Sequence, residues 1–184
     1  MRKFFSSTLI LIAAITGTAS AATPTTLLKL PATCSGTTLG ELVACRLSIS
    51  TLVGRDKYAT GSAIEDKTRE AVVITNGIKA GAPLGISEAA ATSWWGAQIE
   101  ASKQIQRGVI TGAENAGLPR VNKGPKVADL RGALDTLTLK MNALYGKSCS
   151  DQVITDAIKA DPNVNIPALL TAAGGLPRCV IASR

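Results

Sequence analysis

Apolar positions along this chain recur at helical spacing, and no stretch alternates long enough to build a sheet. The pattern predicts a first helix over 38–58, opened by a Thr38-Leu-Gly-Glu41 capping box. A second is predicted over 62–79, with Ser62 as its cap and Glu65 returning the bond, stopping before Gly81-Ala-Pro83. A long third helix starts near Ser87 and ends at Gly117-Leu-Pro119, a glycine stop followed by proline. After a loop rich in Gly, Pro and Lys (120–126), a fourth runs over 127–145 and ends at Gly146. Two short antiparallel helices, 150–160 and 166–173, finish the chain. The similar stretches 116–120 and 174–178 read as two uses of one helix-stop device rather than as a repeat. The fold class expected is all-α: a single-domain helical bundle with one long central helix and a C-terminal helical hairpin stapled by a disulfide.

Several polar residues interrupt the stripes that should face a core. Arg46 and Lys57 lie eleven residues apart, close to one azimuth after three turns, and bracket Ile49, Ser50 and Val53. In 62–75, Asp66, Arg69 and Val73 fall at i, i+3 and i+7, so a charged pair shares its stripe with an apolar residue. On the third helix Gln98, Ser102 and Gln106 form a neutral polar line, with Glu100, Lys103 and Arg107 assigned to other sides. Arg131 adjoins Leu130, Leu134 and Leu137 on the fourth. Singly, each reads as a solvated edge or a snorkelling side chain. As a set, three arginines and a lysine beside apolar faces, with neutral donors among them, suggest that Arg69 turns inward to hold something anionic.

Composition narrows the context. Arg2 and Lys3, the apolar run 9–15 and Ala19-x-Ala21 have the form of a secretory signal peptide, expected over 1–21. The run is too short for a permanent membrane anchor. The remaining segment, 22–184, is long enough for one domain with one core. Without Arg2 and Lys3 the net charge of +7 falls to +5, too diffuse to argue for nucleic acid. The four aromatics beyond the leader (Tyr58, Trp94, Trp95, Tyr145) offer no stacking platform for bases. Four cysteines in an exported chain suggest two disulfides with three connectivities. The hairpin of the last two helices favours Cys149–Cys179, and Cys34–Cys45 then follows by elimination.

The chain has no histidine. That removes Ser-His-Asp and Cys-His catalysis, His-ligated zinc and an imidazole base. Neither a P-loop nor a Gly-x-Gly-x-x-Gly motif occurs. An enzyme built from this sequence is expected to do chemistry that needs no nucleophile and no metal.

The ordered series Arg46-Leu, Lys57, Ile64-Glu-Asp66-Lys-Thr-Arg69-Glu70, Gln98-Ile-Glu-Ala-Ser102-Lys-Gln-Ile-Gln106 and Arg131 resembles the all-helical chorismate mutases. Its exported, disulfide-bearing character resembles the secreted subtype of that family, and the likeness covers roughly residues 38–145, with the Cys149–Cys179 tail in keeping. The family converts chorismate to prephenate by an intramolecular Claisen rearrangement. The resemblance implies that Arg46, Arg69 and Arg131 clamp the two carboxylates of the substrate. It implies that Lys57 and Gln106 donate to the ether oxygen, and that Asp66 and Ser102 serve the substrate hydroxyl or orient the cations. Glu70 would contact the hydroxyl or support the arginines. Val73 stands where some secreted members carry a polar residue, and Gln106 where some relatives carry Glu. Cys34 and Cys45 have no family role.

The expected partner is therefore chorismate, with no nucleic acid, no membrane after leader cleavage and no cofactor. The expected location is exported, periplasmic or secreted. The site is expected to be complete within one chain, which leaves a homodimer open without requiring shared residues. Two rivals remain: an exported helical binding or inhibitor protein on the same fold without turnover, and a pyruvate-releasing lyase acting on chorismate.

Overall fold

A computed structural model describes residues 32–121 and 123–179 of the chain, so the expected signal peptide lies outside the described residues. Every regular element among the described residues is helical. Six α-helices follow one another: α1 (Leu39–Thr60), α2 (Lys67–Gly81), α3 (Glu88–Asn115), α4 (Val127–Tyr145), α5 (Ser150–Ala160) and α6 (Ile166–Ala173). Short 3₁₀ turns at Ala32–Ser35 and Ala82–Leu84 complete the order. The fold is all-α, as the pattern predicted.

The start of α1 is the predicted capping box. Thr38 Oγ1 accepts from the Glu41 amide at 3.2 Å, and Glu41 Oε2 accepts from the amides of Thr38 at 2.8 Å and Thr37 at 2.7 Å. Those backbone donors hold the Glu41 carboxyl below its ordinary value. Beyond the cap, α1 packs against α3, α4 and α5 and has neighbours on nearly every side. Its sequence shows no one-sided apolar stripe because there is no outer face for most of its length. Gly40 is the point of closest approach to α5: a Cβ there would meet the Val153 carbonyl at 2.6 Å.

The start of α2 differs from expectation. Gly61 sits in the left-handed region (φ 69°) and ends α1, so the chain turns there and runs as a loop to Asp66. Asp66, not Ser62, is the cap: its Oδ1 accepts from the Arg69 amide at 2.9 Å. Ser62 instead shares a hydrogen bond with Thr60, 2.8 Å between hydroxyls, and Glu65 reaches across to α3. The Ser62/Glu65 spacing had the right letters, but a tighter turn one residue earlier took those residues out of helix.

The core runs along α1 and α3, with Trp94 and Trp95 both buried on α3. Trp94 meets Trp95 edge-on with centroids 6.3 Å apart and lies 5.6 Å from the Tyr145 ring. Trp95 passes so close to α2 that a Cβ on Gly77 would run into its ring. The α5–α6 hairpin closes over α1 and α3. Gln98 on α3 donates to the Ala172 carbonyl at 3.1 Å, and the Ser150 amide donates to Pro177 at 2.9 Å. Both disulfides pair as favoured, Cys149–Cys179 with Cα atoms 5.0 Å apart and Cys34–Cys45 with Cα atoms 4.9 Å apart. Among the described residues no helix is long and apolar enough to cross a membrane.

Replacing Gly77 with Ala is expected to destabilise the fold by about 1 to 3 kcal/mol through overpacking against Trp95. A urea melt with an unchanged midpoint would show that the ring yields freely.

Candidate active site

One half-open cavity lies between α1, α2, α3 and the first turns of α4. All nine positions singled out from the sequence line it: Arg46 and Lys57 from α1, Asp66, Arg69, Glu70 and Val73 at and beyond the α2 cap, Ser102 and Gln106 from α3, and Arg131 from α4. The start of α4 is held in place by Asp56, a buried carboxylate on α1 whose Oδ2 accepts from the Val127 amide at 3.0 Å.

Arg46 is the deepest of the cations, only 6% exposed. Its guanidinium lies over the Trp95 ring, 5.4 Å from the centroid. The indole N–H of Trp95 donates to Asn142 Oδ1 at 3.2 Å, and Asn142 Nδ2 donates to the Gly77 carbonyl at 3.1 Å. This chain of contacts ties the arginine platform to α4 and α2. Arg46 Nε nevertheless has no hydrogen-bond partner among the described residues. Burial first, then repulsion from Arg69, pushes its pKa down to about 10, with Asp135 opposing.

The other cations are placed differently. Lys57 donates from Nζ to the Ile64 carbonyl at 2.9 Å, and burial pushes its pKa below the usual lysine value against the pull of Asp66, Glu70 and Glu65. Arg69 Nη2 lies 3.3 Å from Asp135 Oδ1 in a pair open to solvent, the carboxylate side chain 59% exposed. Such a pair is worth at most about 1 kcal/mol, so an incoming carboxylate can take the place of Asp135. Arg131 stands exposed at the rim.

On α3, Gln106 Nε2 donates to Ser102 Oγ at 3.0 Å, and Ser102 Oγ lies 2.8 Å from Ser50 Oγ on α1. Gln106 Oε1 is buried without a partner. Half a turn of the amide lets the Ser102 hydroxyl donate to Oε1 and frees both amide hydrogens, so this pair can present a neutral donor to a ligand. Gln98, the third member of the line read from the sequence, is not in the cavity but under α6. Val73, Val53, Ile64, Ile99, Val127 and Leu134 form the apolar part of the wall.

Lys103 corrects the sequence reading. Assigned there to another side of α3, it is buried, lines the cavity and is only 7% exposed. Donating to Glu100, Glu65 and Glu70 raises its pKa well above the lysine range against the cost of burial. The available signal was its spacing: Lys103 follows Ile99 by four residues and so shares the face of a residue that also lines the wall. Asp135 and Thr138, likewise missed, follow Arg131 by four and seven residues. With Lys103 included, five cations and three carboxylates line the cavity, an excess of two positive charges suited to a small dianion. Among the described residues no group of three or more His, Cys, Asp or Glu side chains is placed to hold a metal ion.

An arginine buried for a ligand costs stability when the ligand is absent. Arg46→Met, which keeps the stem and removes the charge, is expected to stabilise the empty protein by about 1 kcal/mol or more. A lowered urea midpoint at unchanged slope would instead mean that the stack on Trp95 already repays the burial.

Residues 37–107 match the family model for chorismate mutase type II. That segment spans α1 and α2 and most of α3, and it contains the lining positions of the cavity except those on α4. The chain is also similar in structure to the crystal structure of chorismate mutase from Burkholderia phymatum, with a TM-score of 0.65 and 20% identity over 80% of this chain and 98% of that chain. No curated protein matches the chain in sequence. At that identity the structural likeness speaks for the fold alone, and the family match covers the segment 37–107. The fold of this chain is shared with a chorismate mutase, and three of the four helices around its cavity carry the chorismate mutase type II pattern.

Proposed function

We propose that the protein is a chorismate mutase, converting chorismate to prephenate, and that the cavity is its active site. The observation that carries the reading is the convergence of Arg46, Lys57, Arg69 and Gln106, all within the matched segment, with Arg131 from α4 on one cavity. The rearrangement is intramolecular: the ether C–O bond breaks as a C–C bond forms, and no atom is gained or lost. It calls for a compact substrate conformer and for charge stabilisation at the departing oxygen.

The residues are suited to both tasks. Arg46, Arg69 and Arg131 bind the two carboxylates, where planar guanidinium forks give direction as well as charge. Arg46 enters the complex with a free donor and already desolvated, so its bond to a carboxylate forms in a medium that screens little. Lys57 and Gln106 donate to the ether oxygen as it gains negative charge. Ser102 orients the Gln106 amide, Asp66 and Glu70 attend the hydroxyl or the cations, and the apolar wall with Val73 excludes water from the ring. Arg46 on the Trp95 ring and Lys57 on the Ile64 carbonyl are held before the substrate arrives, which is the condition under which such donors lower a barrier rather than merely bind.

The leader over 1–21, the domain over 22–184 and the two disulfides support an exported protein of the secreted subtype, periplasmic or released from the cell. The site is proposed to be complete within one chain, with α1 to α4 supplying each residue named above.

The test is to incubate the purified protein, disulfides intact, with chorismate and to follow prephenate. Arg46→Ala and Lys57→Ala are each expected to lower kcat/KM by at least about a hundredfold. Chorismate left untouched by folded wild-type protein would move the reading to a binding protein on the same scaffold, and released pyruvate would identify a lyase. The pH profile is a further check. Gln106 donates without a proton being added, so kcat/KM stays level from mildly acid to neutral pH. Lys57 is charged below its pKa and loses its proton above it; because burial lowers that pKa, activity falls at a lower pH than an ordinary lysine would give. A rate that climbs steeply only below neutrality would contradict the role given to Gln106.

A further inference from the structure

Lys103 is a buried ammonium in the cavity wall for which the proposed reaction has no use. An ammonium has three N–H donors, and here each has a carboxylate: Glu100 at 2.6 Å, Glu65 at 3.2 Å and Glu70 at 3.3 Å. None is left for a ligand. We infer that Lys103 is a positioning residue of this site, clamping the α1–α2 loop and the first turn of α2 so that Lys57 and Arg69 are held for the substrate. The inference rests on the chorismate reading of the cavity.

Two short paths connect the clamp to the site. Glu65 follows Ile64, whose carbonyl accepts from Lys57 Nζ at 2.9 Å, so holding Glu65 fixes the acceptor that aims Lys57. Glu70 bridges: its Oε2 accepts from Lys103 and its Oε1 from the Asp66 amide at 3.3 Å. Asp66 in turn caps the turn that bears Arg69. Lys103 therefore ties α3 to the one stretch of the cavity wall that, among the described residues, is not helix. It also neutralises Glu70, which would otherwise face a dianion with an uncompensated charge. Arg107, 4.0 Å from Glu65 and 3.9 Å from Glu100, supports the same cluster from the exposed side.

The variants are Lys103→Met, Lys103→Arg and Glu65→Gln, the last at a side chain 59% exposed and so safe for folding. For Lys103→Met the expected result is a KM for chorismate raised by about tenfold with a smaller loss in kcat. Amide hydrogen exchange in its segment 64–70 should quicken by about tenfold while α3 and α4 keep wild-type protection. Lys103→Arg should restore both, and Glu65→Gln should quicken exchange in the same segment to a lesser degree. If exchange in 64–70 is unmoved in Lys103→Met and in Glu65→Gln, the clamp is wrong. An even rise across the bundle with unchanged KM also overturns it, since that is a lysine serving stability alone. Failure of the wild-type protein to turn over chorismate would remove the functional reading, while the exchange comparison would still decide the clamp.

Discussion

A guanidinium inside a helical bundle, without a carboxylate of its own, is the constraint on which the other features of this structure depend. Arg46 is buried, is repelled by Arg69 and has an unsatisfied Nε. An isolated buried charge is costly enough that a chain ordinarily avoids it or neutralises it. Here the compensation is indirect. The face of Trp95 lies beneath the guanidinium, Asn142 holds the indole, and Gly77 gives the ring room. Cation–π contact in a desolvated setting contributes about 2 kcal/mol, which offsets part of the burial. The rest remains as an unmet demand for an anion, which supports the proposal that the cavity is a binding site.

The remaining cations show how such a demand is kept specific. Lys103 is saturated by three carboxylates and is spent on architecture. Arg69 is held loosely by an exposed Asp135 and can be released to a ligand. Lys57 leans on a loop carbonyl, with its pKa depressed by burial, and is proposed to donate where negative charge develops. Side chains of one charge type thus take different roles according to how many of their donors are already satisfied. Packing decides that division, since the distances that saturate Lys103 join α3 to the α1–α2 loop across the fold.

The scaffold keeps these positions from drifting apart. α1 carries both Arg46 and Lys57 and is enclosed by its neighbours, with the α5–α6 hairpin over α1 and α3. Cys149–Cys179 closes that hairpin, and Cys34–Cys45 ties the segment before α1 to the helix itself. Cross-links of this kind limit the unfolded chain and suit a protein whose site works against its own stability.

Much of this was legible in the sequence because helices are local. The capping box at Thr38 and Glu41, the glycine and proline stops, and the bounds of α4, α5 and α6 follow from residues a few positions apart. That most of the nine positions would share one cavity was legible for a related reason, since residues that recur at helical spacing point where their stripe points, whereas Glu70 was named only through the family resemblance. The cap of α2 was misread because Ser62-x-x-Glu65 and Asp66-x-x-Arg69 compete for one turn, and Gly61 in the left-handed region decides between them. Lys103 was misread because a charged residue one step around the helix from Ser102 looks solvated until Glu65 and Glu70 arrive from another element. The sequence by itself determined which faces carry charge, since periodicity is a property of one helix. Only the tertiary structure decided which charges are spent on one another and which stay free for a ligand, because that depends on distances between helices that no single stretch of chain encodes.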